Sequence, residues 1–146
     1  MESNKVILTE IPDEYTYERI NSGACGVCYL TKDGKVFKEF FAEIDNLSLL
    51  EYIASKYKCN HLLLPEQFVF LQTANSLEFI GYIRKYVEGQ ALSSLDDKVE
   101  CSKLIKALCE LEKEIIMNIK NGLEYHDTHG ENVFYTPDDE IKIIDP

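Results

Sequence analysis

Apolar residues change their spacing four times along this chain, and each change marks a change of backbone type. From Lys5 to Phe40 the pattern is one of short apolar runs: Val6-Ile7-Leu8, Tyr15 to Ile20, Val27 to Leu30 and Val36 to Phe40. Asn21 to Gly26 is a small-residue turn between two of these runs. Lys32-Asp33-Gly34-Lys35 reads as a hairpin turn whose Asp-Gly pair supplies positive φ. From Ile44 to Tyr57 the period becomes helical, with Ile44, Leu47, Leu50 and Ile53 on one stripe. Leu62 to Leu71, interrupted by Pro65, and Leu77 to Val87 return to strand-like content around a polar Asn75-Ser76 turn, which predicts a hairpin. Between Asp97 and Lys120, Leu104, Leu108, Leu111, Ile115 and Ile119 align on one helical face, and Asn121-Gly122 ends it. Val133 to Tyr135 and Ile141 to Ile144 then form a small hairpin around Pro137-Asp138-Asp139. The expected class is α+β in two lobes: a β-rich half with one helix, then a helical half carrying a hairpin.

Hydrophobic residues make up 45% of the 146, enough for a packed core and too many for a disordered acidic tail. The net charge of −11, from 15 basic and 26 acidic residues, works against nucleic acid and anionic membranes as general partners. It leaves room for a local phosphate site, because one lysine and a bound metal can dominate a cleft. No apolar run is long enough to span a bilayer or to serve as a classical signal peptide, so the cytoplasm is the expected address, with a delivered effector as the alternative. The five cysteines are scattered. Cys25-x-x-Cys28 lacks a second ligand pair at zinc-finger spacing, which points to reduced thiols.

Three features carry chemistry. Gly23 and Gly26 lie in the small-residue turn, where backbone N–H groups without a nearby Cβ can approach a polyphosphate; most such turns bind nothing. Twelve residues on, Lys38 interrupts an apolar strand. It either snorkels at an edge or holds nucleotide phosphates from a cleft, and in the second case a carboxylate on the next helix, Glu43 or Glu51, would pair with it. The third feature is Tyr125-His126-Asp127-Thr128-His129-Gly130-Glu131-Asn132, followed by Asp145. If the hairpin folds the chain back, Asn132 and Asp145 become neighbours with hard oxygen ligands suited to Mg²⁺, and Asp127 is left to accept a proton from a hydroxyl. The bland alternative is a solvated acidic loop. His126 and His129 raise zinc, which no surrounding ligand set supports.

Taken in order, these residues resemble the signature of the protein-kinase-like superfamily. Ile20 to Tyr29 resembles the glycine-rich loop, with Asn21 where its first glycine is expected, and Lys35-Val36-Phe37-Lys38 resembles the strand of the phosphate-binding lysine. Lys85-Tyr86-Val87-Glu88-Gly89 resembles the hinge, which implies that the Lys85 carbonyl and the Val87 amide read the adenine edge. The resemblance implies a catalytic pair of Asp127 and Lys38, and a nucleotide held by Gly23, Ala24, Cys25, Gly26, Lys38, Lys85 and Val87. It implies Mg²⁺ on Asn132 and Asp145, with Glu43 or Glu51 as the lysine's partner. The implied cofactors are ATP and Mg²⁺. The implied architecture is a single two-lobed domain, with an N-lobe over about 1–84, a hinge over about 85–90 and a truncated, mainly helical C-lobe over about 91–146.

Asp127-x-His129-x-x-Asn132 and Asp145-Pro146 are similar to the patterns of aminoglycoside, choline and lipopolysaccharide-sugar kinases. By the resemblance, the sequence stops where an activation segment and later helices would follow. That leaves little acceptor pocket, tilts the expected acceptor towards a protein serine or threonine, and leaves one face of the Asp97–Lys120 helix for a protein partner or self-association. A catalytically inactive nucleotide-binding or interaction module is the remaining alternative.

Overall fold

The computed structural model describes residues 4–22, 26–41, 51–54, 61–95, 99–122 and 133–144. The chain is α+β and divides into two compact units. One comprises Met1–Tyr52 and Pro65–Tyr86; the other comprises Ile53–Leu64 and Val87–Pro146. Both units are thus discontinuous in sequence, a feature that the order of elements along the chain does not show.

The first unit is built on a six-stranded sheet of β1 (Lys5–Leu8), β2 (Glu18–Ser22), β3 (Gly26–Leu30), β4 (Lys35–Phe40), β5 (Gln67–Gln72) and β6 (Leu77–Lys85). Its order is β1-β5-β6-β4-β3-β2. β1 runs parallel to β5, and every other neighbouring pair is antiparallel. The β3–β4 hairpin closes as its sequence suggests. The Thr31 amide donates to the Lys35 carbonyl at 2.8 Å, and Gly34 takes φ +83°. Two boundaries differ from the sequence reading. Tyr15 and Thr16 lie in a turn, donating to the Pro12 and Asp13 carbonyls, so the strand starts only at Glu18. The run from Leu62 splits at Pro65: the strand begins at Gln67, while Leu62 forms a bridge to Ile143 in the second unit.

Alternation on β4 gives this sheet two different faces. Phe37 points to a core with Val69 and Ile83, flanked by Leu8, Ile11, Tyr15, Tyr29 and Ile80. The Tyr15 ring meets Phe37 edge-on at 5.3 Å between centroids. The other face is aromatic: Phe79 lies 5.8 Å from Phe40, 6.1 Å from Phe68 and 5.5 Å from Phe70, centroid to centroid.

The second unit joins one long helix, α1 (Cys101–Lys120), to a small antiparallel sheet ordered β7 (Gln90–Ala91), β8 (Val133–Tyr135) and β9 (Ile141–Ile143). A 3₁₀ turn, Leu92–Ser94, follows β7. Ala107 and Leu111 of α1 pack with Leu62, Val133, Tyr135, Ile141 and Ile143. The segment before β5 is sewn in by backbone bonds: the Ile143 amide to the His61 carbonyl at 2.6 Å, and the Leu63 amide to the Ile143 carbonyl at 2.9 Å.

α1 begins four residues later than the periodicity suggests, because Glu100 is extended and its carbonyl accepts the first helical bond from Leu104. It ends as expected, with Gly122 at φ +95° and its amide on the Ile119 carbonyl. The buried face also differs from the reading. It runs through Ala107, Leu111 and Asn118, with Leu104 and Ile115 half-buried, whereas Leu108 and Ile119 are exposed. Among the described residues no helix is long and apolar enough to cross a membrane.

Candidate functional site

Lys38 is the sequence-singled residue whose surroundings are most fully defined. The antiparallel register sets it opposite Cys28 on β3 and opposite Tyr82 on β6. Directly opposed residues share a sheet face, so Lys38 lies on the aromatic side. Its ammonium lies 5.3 Å from the Phe40 ring centroid and 5.9 Å from that of Tyr82. Both distances are within cation–π range. Lys38 is half-buried, and Tyr82 and Cys28 are buried. The lysine therefore lies against ring faces at the middle of a sheet, which an edge snorkel would not do.

Two glycines hold this strand close to its neighbours. A Cβ on Gly26 would run into the Glu39 carbonyl and come within 3.1 Å of Phe40 Cα. A Cβ on Gly81 would meet the Lys38 carbonyl. The missing Cβ of Gly26 is thus already used by strand packing, whatever the loop before it does.

Lys85 ends β6 opposite Lys35. It is exposed, and its carbonyl accepts a 3.0 Å bond from Nη1 of the buried Arg84. A carbonyl has two lone pairs, so one more donor can be accepted there. Val87 is half-buried. Glu51 lies on the helical stretch 51–54, half-buried, and the ion pairs among the described residues do not join it to Lys38. Gly23, Ala24, Cys25, Glu43, Asp127, Asn132 and Asp145 lie outside the described residues.

The second unit contributes the β8–β9 hairpin. Its turn uses the same bonds as the one at Gly34: Thr136 amide to Glu140 carbonyl at 2.8 Å, and Asp139 amide to Thr136 carbonyl at 3.1 Å. Asp139 fills the positive-φ position, at +60°. Its carboxylate accepts a 2.6 Å bond from the Tyr135 hydroxyl, which, with burial, pushes the Tyr135 phenol up to about 12. Lys103 reaches both Glu100 and Asp139 at 3.7 Å.

Some of the concavities of the surface are lined by described residues. One, of about 720 Å³, lies in the first unit around Tyr15, Thr31, Asp33, Lys35 and Glu66. Burial, then the Asp33 and Glu14 carboxylates, raise the Tyr15 phenol above its ordinary value. Another, of about 520 Å³, lies around Lys103, Tyr135 and Asp139. Neither includes Lys38, Lys85 or Val87. Among the described residues no group of three or more His, Cys, Asp or Glu converges as metal ligands. Sequence reasoning named Phe40 beside Lys38 but missed Tyr82 and Cys28. The alternation Val36, Lys38, Phe40 puts Phe40 on the lysine's face, but nothing local reveals which strand brings Tyr82.

No known protein family and no curated protein matches this chain.

Proposed function

We propose that this chain is an ATP-dependent phosphotransferase of protein-kinase-like type, passing the γ-phosphoryl group to a hydroxyl acceptor. The observation that carries the reading is the position of Lys38. It lies on the third strand of the antiparallel succession β2–β3–β4, after the glycine-bearing stretch 23–26 of the sequence, and beside the strand that ends at Lys85. In protein kinases the phosphate-binding lysine lies on the third strand, after the glycine-rich loop. A lysine held half-buried over Phe40 and Tyr82 is a preorganised cation, the element that phosphoryl transfer asks of a protein.

The hairpin of the second unit supports the same reading. Val133 is paired with Ile143, and Asn132 and Asp145 lie one and two residues beyond that pair. In this reading Asn132 and Asp145 hold Mg²⁺, which neutralises phosphate charge when bound, Asp127 orients the acceptor hydroxyl, and Lys85 and Val87 read the adenine edge.

Transfer of labelled γ-phosphate is the test, with a protein mixture and with small aminoglycoside- or choline-type alcohols as acceptors. Label on Ser or Thr, lost by about 10²-fold or more in Asp127→Ala, is the expected result. Label only on a small alcohol assigns the small-molecule class that Asp127-x-His129-x-x-Asn132 resembles. Nucleotide binding with no transfer that Asp127→Ala alters refutes catalysis and leaves a binding module.

A further inference from the structure

α1 has more apolar surface than its own unit covers. Ile105 is 61% exposed, Leu108 39%, Ile116 46% and Ile119 56%. At 100° per residue these four fall in a stripe about 80° wide. Exposed Cys101 and Cys109 extend it. On one border Leu104 and Ile115 pack into the core. Along the other, about a quarter turn round, runs a row of exposed lysines at seven-residue spacing, Lys106, Lys113 and Lys120. The chain carries a net charge of −11, yet in this helix four lysines outnumber three glutamates. An apolar stripe with a charged rim, interrupted here once by Glu112, is the anatomy of an interaction surface.

The charges select the occupant. A second copy bound antiparallel about a two-fold axis would set the lysine row against the same row of its partner. A parallel pair would set the lysines against the border of Leu104 and Ile115, which offers no anion. A bilayer would have to take in Glu112, which is exposed near the middle of the stripe, and an acidic chain is repelled by anionic headgroups. We propose that Ile105, Leu108, Ile116 and Ile119, with Lys106, Lys113 and Lys120, form a docking face for an amphipathic helix of another protein. That helix carries an acidic row beside its apolar one, and a basic or small residue opposite Glu112 fixes its register. The inference is independent of nucleotide binding.

The test uses the full chain and two synthetic amphipathic helical peptides with the same Leu/Ile stripe. One carries glutamates at heptad spacing beside the stripe, the other lysines there. Fluorescence anisotropy should show the glutamate peptide binding about tenfold more tightly, with the advantage shrinking as salt rises. Lys106→Glu, Lys113→Glu and Lys120→Glu together should reverse the preference. Leu108→Gln with Ile116→Gln should lose both peptides while the melting profile is retained, since these side chains are exposed. Equal affinity for both peptides, or no binding at about 0.1 mM, overturns the proposal. So does self-association in sedimentation equilibrium that the glutamine variants abolish. So does partition onto phosphatidylserine vesicles without peptide binding.

Discussion

The Glu114 side chain ties the backbone at His61 to the long helix. Its Oε2 and Oε1 accept the His61 amide at 3.0 and 3.3 Å. His61 is 9% exposed, and its Nδ1 lies 2.9 Å from the Ile141 carbonyl, so Nδ1 carries the hydrogen. Its own carbonyl accepts the Ile143 amide. In Glu114→Ala the His61 N–H loses a carboxylate acceptor in a part-buried setting, at a cost of about 1.5–3 kcal/mol. Glu114→Gln keeps one amide oxygen within reach and should lose about 1 kcal/mol or less. Native-state hydrogen exchange reads this directly. The Leu63 and Ile143 amides should exchange roughly 10- to 150-fold faster in the alanine variant. Phe68, whose amide donates to Asn4 in the first unit, should change little if the units open separately. Unchanged exchange at Leu63 and Ile143 in Glu114→Ala, or a glutamine variant as fast as the alanine one, refutes the assignment of 53–64 to the second unit through this bond.

Gly26→Ala should destabilise the first unit by about 2 kcal/mol or more in urea unfolding, because backbone rather than a flexible side chain occupies the Cβ position. A loss of nucleotide response in that variant therefore says little about phosphate contact. Tyr135 is protonated more tightly in the folded state, so its contribution is complete below pH 10 and disappears as pH rises towards about 12. In Tyr135→Phe the fall in stability over that alkaline window should be shallower, measured by denaturant midpoints across pH 9–12. The Lys35–Glu66 pair, at 2.6 Å but with side chains 42% and 32% exposed, should be worth under about 1 kcal/mol and should weaken with salt in a double-mutant cycle.

Local chemistry was legible where a residue type settles a backbone angle. Gly34 and Gly122 take the positive φ that their neighbours suggest. Asp139 takes one too, where a Pro-Asp-Asp turn does not say which residue bears it. Hairpin pairing was legible, since β3–β4, β5–β6 and β8–β9 pair antiparallel around the turns that the sequence marks, but pairing between strands distant in sequence was not. β1 bonds in parallel to β5, about sixty residues on, and β6 inserts between β5 and β4; local periodicity carries no information about either. The helix face was misread because α1 is apolar over more than one face, and small Ala107, not Leu108, meets the hairpin. Lys38 stood out as a lysine within an apolar strand, while its place over Tyr82 depends on that non-local pairing.

The most direct test of the nucleotide reading is thermal unfolding with and without Mg-ATP, for the wild type, Lys38→Met and Asp145→Asn. A ligand that binds only the folded state raises its stability by about 2.7 kcal/mol at a hundred times its Kd. The wild type should show a Mg²⁺-dependent rise in Tm that both variants lose while remaining folded. A folded wild type whose Tm does not move with millimolar Mg-ATP, or variants that respond as fully as it does, would contradict the account.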